Sequence, residues 1–311
     1  MTDGRRAALL AILVVALSAL ALIAKFPSQP LILVELNNAA HAPVFGAMAI
    51  VWLHILRRYS ALGRWPRYLA AFALSVAIGG LIELIQPTFN RGSESLDLMT
   101  DALGTFTGLA AMAAYELRRP WLLLPAICAA VLVFWPVGEA AMAYRLRATG
   151  FPTLLGHDAQ AERYFIHSYG IEIDTTRLPS AWRRDDDPQS LRIRIRGGSF
   201  PRLTLIEPQP DWRGYSRLML DVTNPEDRPL MLTLRVHDRD HDNVRAADRF
   251  NRKITLAASE RRVLSFPLAE IAASPAGRGM DMSRIASVIL FGKNGSDLAG
   301  REYYLTRLWL E

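Results

Sequence analysis

Apolar positions follow two unlike patterns along the chain. Up to about residue 145 they form long runs: Ala7 to Ala24 (broken only by Ser18), His41 to Leu56, Tyr68 to Ile85, Asp97 to Tyr115 and Trp121 to Met142. A helix of about 20 apolar residues crosses a hydrocarbon core of roughly 30 Å, so these runs predict about five transmembrane helices. The second run is short, and the preceding Leu31 to Val34 reads as a stretch at the membrane interface. The first run follows Arg5 and Arg6, as a signal peptide would. It is long for one, and no convincing small-x-small cleavage site follows before Lys25, so a retained anchor is expected.

Beyond Gly150 the period drops to two. Leu191, Ile193 and Ile195 alternate with arginines; Leu218, Leu220 and Val222 alternate with Met219, Asp221 and Thr223. Leu230, Leu232, Leu234 and Val236 form a third alternation, and further strands fit Arg252 to Leu256, Arg262 to Phe266, Ala286 to Phe291 and Tyr303 to Leu310. Gly, Pro, Asn and Asp punctuate them, as in an antiparallel sandwich. The predicted architecture is multi-domain: an α-helical transmembrane bundle over 1–145, a connector over 146–185 with room for one helix, and an all-β jelly-roll sandwich over 186–311.

Composition agrees with this division. The 51% hydrophobic content and mean hydropathy of +0.13 average the two halves. A formal charge of +6 suggests nucleic acid, but the arginines sit largely at the ends of apolar runs, where they report orientation. Arg5 and Arg6 precede the first run, Arg57, Arg58, Arg64 and Arg67 separate the second and third, and Arg118 and Arg119 separate the fourth and fifth. The alternate loops carry only Lys25 and Arg91. Positive charge stays inside, so the N-terminus is expected in the cytoplasm, and an odd number of spans puts the sandwich outside a bacterial inner membrane. The single cysteine, Cys128, rules out an intrachain disulfide.

Polar groups at membrane depth are costly and mark a site or a packing need. Asn37 and Asn38 precede His41; Glu83 and Gln86 share a helix face at i, i+3; the following loop carries Arg91, Ser93 and Ser95. Asp97, Asp101, Gly104 and Gly108 then draw one stripe down the fourth run. The glycines alone read as a close helix seam, and Asp97 as an acid favoured at a helix start. A carboxylate as deep as Glu83 needs a partner, for which Arg91 is the candidate.

The order of His41, Glu83-Leu84-Ile85-Gln86, Arg91, Ser95, Asp97, Asp101, Gly104 and Gly108 resembles the VanZ-like membrane family over residues 7 to about 118. Asn37 and Asn38 stand where that family often has an Asp-Lys pair, and Asp101 where Asn is common. The resemblance implies a cell-envelope role; the family is associated with glycopeptide resistance, notably to teicoplanin, without a settled reaction. In the second half, Asp211-Trp-Arg-Gly-Tyr, the strand ending Asp221-Val-Thr-Asn-Pro, Asp248-Arg-Phe-Asn and the segment Met282 to Phe291 resemble the galactose-binding-like jelly roll of carbohydrate-binding modules and the complex I intermediate-associated protein family.

Period two places Asp221, Arg235, His237, Arg307 and Trp309 opposite the core-facing leucines. If their strands are neighbours, an aromatic beside Arg and Asp suits a sugar; otherwise they form a solvated face. Trp212 and Tyr215 read as packing residues. The run His237 to Asp242 lacks the glycine and distal glutamate of a calcium loop, so no metal is expected. No Walker loop, dinucleotide fingerprint, C-x-x-C or G-x-S-x-G is present, and no cofactor is expected.

Three functions fit. The first is an envelope factor engaging membrane lipid together with a lipid-linked glycan, polysaccharide or peptidoglycan precursor at the outer leaflet. The second is an intramembrane enzyme on a polyprenyl or phospholipid substrate, with Glu83 or Asp97 as base, His41 as acid and Arg91 on a phosphate. The third is a scaffold for envelope assembly.

Overall fold

Helix and strand segregate along the chain as the two periodicities require. The computed structural model describes residues 9–10, 12–19, 27, 29–86, 95–156, 159–241, 245–293 and 295–311, with backbone alone at 95, 96, 159, 160, 295 and 296. Two compact units result, Met1–Ala141 and Met142–Glu311.

The first unit is built from α1 (Leu31–Tyr59), α2 (Arg64–Ile85), α3 (Ser95–Leu117) and the first part of α4 (Leu123–Gly150), which follows a single 3-10 turn at Pro120–Leu122. Residues 12–19 are helical too, and the rest of the first apolar run lies outside the described residues. The stretch Leu31 to Val34, expected at the interface, forms the opening turn of α1. It is as apolar as the run it precedes, and Pro43 inside α1 does not end the helix. Among the described residues, three helices are long and apolar enough to cross a membrane: Leu31–Tyr59, Arg64–Ile85 and Pro120–Gly150. The expected count of five is thus met only in part. Helix α3 falls short because its interior carries Asp101, Gly104, Thr105, Thr107 and Gly108.

Inside this unit, Phe45, Met48 and Ile82 form one apolar cluster and Ala49, Leu53, Ala71 and Leu109 another. Outward, Leu69, Leu84, Leu124, Leu132 and Trp135 stand mostly exposed. Such a surface is far more apolar than water tolerates on a compact domain and is what lipid would cover.

In the second unit all strand pairing is antiparallel. The first sheet runs β3 (Ile171–Thr176), β4 (Ser190–Ile195), β11 (Glu302–Leu310), β6 (Arg217–Asn224) and β9 (Glu260–Pro267), with β1 (Thr153–Leu155) also on β11. The second runs β2 (Ile166–Tyr169), β5 (Arg202–Ile206), β10 (Ile285–Phe291), β7 (Leu230–Asp238) and β8 (Phe250–Leu256). Alternate residues explain the sandwich: Leu191, Ile193, Leu218 and Leu220 from one sheet, and Leu203, Leu205, Leu234 and Leu290 from the other, are buried. Each such side chain contributes about 1.5–3 kcal/mol on leaving water. Phe250 of β8 meets Phe266 of β9 edge-on at 6.2 Å, a contact across the two sheets. Residues 146–185, expected to connect, supply three strands to these sheets, because Ile171 and Ile173 alternate with Glu172 and Asp174 opposite β4.

Candidate functional site

Small residues set the geometry of the helical unit. A Cβ on Gly104 would lie 2.3 Å from Ala42 Cα, and one on Gly108 2.8 Å from Gly46 Cα, so α1 and α3 touch backbone to backbone. This is the seam that small residues four apart allow in a bilayer. It fixes His41, beside Ala42, against Asp101, almost one turn before Gly104. His41 Nδ1 and Asp101 Oδ1 lie 3.1 Å apart, with side chains 6% and 1% exposed. The ring of His41 also stacks on Phe45 at 6.4 Å.

Helix α2 closes the third side. A Cβ on Gly79 would come within 2.6 Å of Asp101 Oδ2, so the missing side chain makes room for that carboxylate. Glu83 follows at i+4 from Gly79 and Gln86 at i+7, on the same face. Glu83 is buried and close enough to Asp101 for the two charges to interact. Gln86 is fully buried, and neither its Oε1 nor its Nε2 has a hydrogen-bond partner among the described residues. Asp97, one turn before Asp101, is buried as well, and Asn37 and Asn38 are half-buried on α1. Leu81 and Leu84, on the other side of α2, are exposed.

His41, Glu83, Gln86 and Asp101 are thus brought together from three helices, and the acid at His41 Nδ1 is Asp101, one of the expected ligand-binding residues. An aspartate accepting from Nδ1–H fixes the imidazole tautomer and directs Nε2 to act as base or acceptor. Gly79 was missed, although the Gly79-Gly80 pair four residues before Glu83 was a readable signal. Arg91 and Ser93 lie outside the described residues, as does the expected Arg91–Glu83 pairing, and Ser95 is described only as the first residue of α3. Among the described residues no group of His, Cys, Asp and Glu is placed to hold a metal.

The sandwich treats its four expected sugar-binding residues differently. Asp221 on β6 and Trp309 on β11 belong to one sheet, and Arg235 and His237 on β7 to the other. Their outward faces point away from each other across the core, so the four do not form one site. Asp221 is also occupied: Arg261 of β9 donates Nη2–H to its Oδ2 at 2.5 Å and Nη1–H to Asp187 Oδ2 at 2.6 Å. Trp309 lies near Arg307, whose guanidinium is 5.8 Å from the ring centre. On the other sheet His237 Nε2 is 2.7 Å from Ser287 Oγ, and burial pushes its imidazole below the usual value. In the run after His237, Asp238 meets Arg278, Asp240 meets Arg284 and His241 meets Asp248, while Asp242 lies outside the described residues. Trp212 is fully buried and donates to Gln209 O at 2.7 Å; Tyr215 packs edge-on against Phe151.

No protein-family model matches the chain, and no curated protein matches it. Among solved structures it is similar to a family 11 carbohydrate-binding module from Clostridium thermocellum in complex with a β-1,3-1,4-mixed-linked tetrasaccharide. That match has 13% identity, 47% of this chain, 88% of that one and a TM-score of 0.35. An exo-β-agarase is similar at 15% identity over 47% of this chain and 23% of its own, TM-score 0.38. So are the CBM22-1 and GH10 modules of a Clostridium thermocellum endo-1,4-β-D-xylanase complexed with xylohexaose, at 5% identity over 51% of this chain and 28% of theirs, TM-score 0.35. The two-sheet architecture stands on this chain's own strand order and register.

Proposed function

We propose that the chain is an integral protein of the bacterial inner membrane, VanZ-like in its helical half, that engages a lipid-linked glycan or peptidoglycan-related ligand at the outer leaflet. The N-terminus is cytoplasmic and the sandwich is periplasmic. The exposed apolar helices support a bilayer setting, and the arginine distribution supports this orientation. One observation carries the reading: His41, Asp101, Glu83 and Gln86, from three helices, are buried together, and the Gln86 amide keeps unused donors and acceptors among the described residues. A polar headgroup meets such a cluster more readily than a lipid tail does.

The test uses the full chain in nanodiscs and a polyprenyl-pyrophosphate-linked muropeptide precursor as probe. Saturable binding that weakens in Gln86→Leu and His41→Ala supports the reading. Absence of binding, or binding indifferent to both substitutions, overturns it. A C-terminal reporter active only in the cytoplasm would overturn the orientation.

The His41–Asp101 pair also favours a second reading, an intramembrane enzyme in which the oriented imidazole moves a proton on a polyprenyl or phospholipid substrate. In that case cells carrying Glu83→Gln or Asp101→Asn accumulate a lipid that wild-type cells do not. Identical lipid extracts alongside a deletion phenotype would remove it. If the cluster serves only as a scaffold, His41→Ala lowers protein abundance in step with phenotype.

A further inference from the structure

Among the described residues, the outward face of the second sheet collects cations without acids. Strand register sets Tyr169, Arg202, Phe291, Thr233 and Lys253 in one row, and His167, Thr204, Ile289, Arg235 and Asn251 in the next. Five strands at about 4.8 Å spacing make each row roughly 19 Å long. Arg202 lies over the Tyr169 ring at 4.7 Å and Arg235 over the Phe291 ring at 4.7 Å, while Phe200 meets Phe291 edge-on at 6.2 Å. Tyr169 and Phe200 remain half exposed.

None of Arg202, Arg235, Arg249 and Lys253 forms an ion pair with a carboxylate among the described residues. Arg235 has only Asn251 Oδ1 as a side-chain acceptor, at 3.1 Å, and the Arg249 Nε is buried with no partner among those residues. Burial, then the like charges of Arg249 and Arg202, push the Arg235 guanidinium down to about 10. The contrast with the opposite sheet is sharp. There Arg192 and Arg194 share Asp174, and Arg261 is held by Asp187 and Asp221. Like charges gathered without counter-charges cost stability, and an anionic ligand relieves that cost.

We infer that this face binds an acidic polysaccharide, its carboxylates taken by Arg202, Arg235 and Lys253 and its sugar rings by Tyr169 and Phe200. The inference rests on the glycan reading above and narrows it to a charge class. Guanidinium groups pair with carboxylates through two parallel hydrogen bonds, and half-exposed aromatic rings offer flat apolar surface to a pyranose. A neutral glycan would leave the guanidinium groups uncompensated.

The experiment uses the full chain in zwitterionic nanodiscs. The probes are polygalacturonate, its fully methyl-esterified form, alginate, neutral dextran, cello-oligosaccharides and single-stranded DNA. Polygalacturonate or alginate should bind and the ester should not, with affinity falling as salt rises. Arg235→Gln and Lys253→Gln should each weaken binding about ten- to a hundred-fold. Arg228→Gln, an exposed arginine elsewhere, should leave it unchanged. Unchanged thermal unfolding of Lys253→Gln separates lost contact from lost fold. Equal binding of ester and acid, or binding of neutral glycans alone, overturns the charge class and leaves the glycan reading standing. Failure to bind any of these polysaccharides overturns the inference, while the lipid-linked ligand reading stands or falls on its own binding test. DNA binding as tight as that of polygalacturonate overturns the assignment to polysaccharide.

Discussion

Arg261→Met should be the most damaging single substitution on the first sheet. Arg261 uses all five of its N–H groups: two on Asp221, two on Asp187 and one on the Trp182 carbonyl, at 2.5 to 3.1 Å. The three side chains are only 6–8% exposed. Methionine keeps much of the volume and leaves two carboxylates buried side by side without a counter-charge. Breaking a buried pair this way costs about 3–5 kcal/mol. A domain of about 150–250 residues loses roughly 2–4 °C per kcal/mol, which gives a Tm drop of roughly 6–20 °C for the sandwich. The assay is thermal unfolding of the full chain in micelles, resolved by hydrogen exchange of β6 and β9 peptides. Adding Asp187→Asn and Asp221→Leu should recover most of the loss, since the neutral set no longer buries charge. The pH dependence follows in sign. Burial opposes ionisation of Asp187, but hydrogen bonds from Arg261 and the Arg184 N–H outweigh it and hold the carboxyl below its usual value. Its contribution is therefore complete above the unfolded-state value of about 3.9 and is lost as pH falls through the lower folded value. Arg261→Met should lack this acid limb. A Tm within 2 °C of wild type, the behaviour of a surface pair, would refute the reasoning.

Three further outcomes are expected. Gly104→Ala should destabilise the helical unit by about 1–3 kcal/mol through overpacking against Ala42, while Gly80→Ala, where a Cβ meets nothing within 4 Å, should not; equal micelle melting temperatures for the two would contradict the seam. Asp101→Ala should cost about 1–3 kcal/mol by stranding the buried His41 imidazole, and Asp101→Asn, which keeps an acceptor, should cost less; the same melting assay decides, and the reverse order would count against the pair. Trp309→Ala should leave polygalacturonate affinity within about twofold, since Trp309 lies on the sheet opposite Arg235; a larger loss by titration would move the glycan surface to the first sheet.

Residue patterns carried more of the elements than of their neighbours. Alternation at Leu191, Ile193 and Ile195 and from Leu230 to Val236 marks β4 and β7, because period two is a local property of a half-buried strand. The same alternation in Arg202-Leu-Thr-Leu-Ile and Ile171-Glu-Ile-Asp marks β5 and β3, the second of them inside the stretch expected only to connect. Sheet membership is not local at all. Nothing near Asp221 or Arg235 says that β6 pairs with β11 while β7 pairs with β10, and this separates the expected sugar-binding four. In the helical unit the i, i+4, i+7, i+11 stripe was legible. That His41 meets Asp101 depends on the register of α1 against α3, set by the approach of Gly104 to Ala42.

The place of β11 has a consequence for how the second unit is made. It lies between β4 and β6, and the Ser190–Thr306 hydrogen bond joins residues 116 positions apart. Until that late segment arrives, β4 and β6 face each other across a missing strand, each with a row of unmatched amides and carbonyls. Such edges recruit foreign strands, and closure over so long a separation is slow. A folding chain is therefore open to strand recruitment during that interval. Pulse-labelled refolding should show β4 and β6 amides gaining protection only in step with β11, and earlier protection of β4 would argue against such a wait.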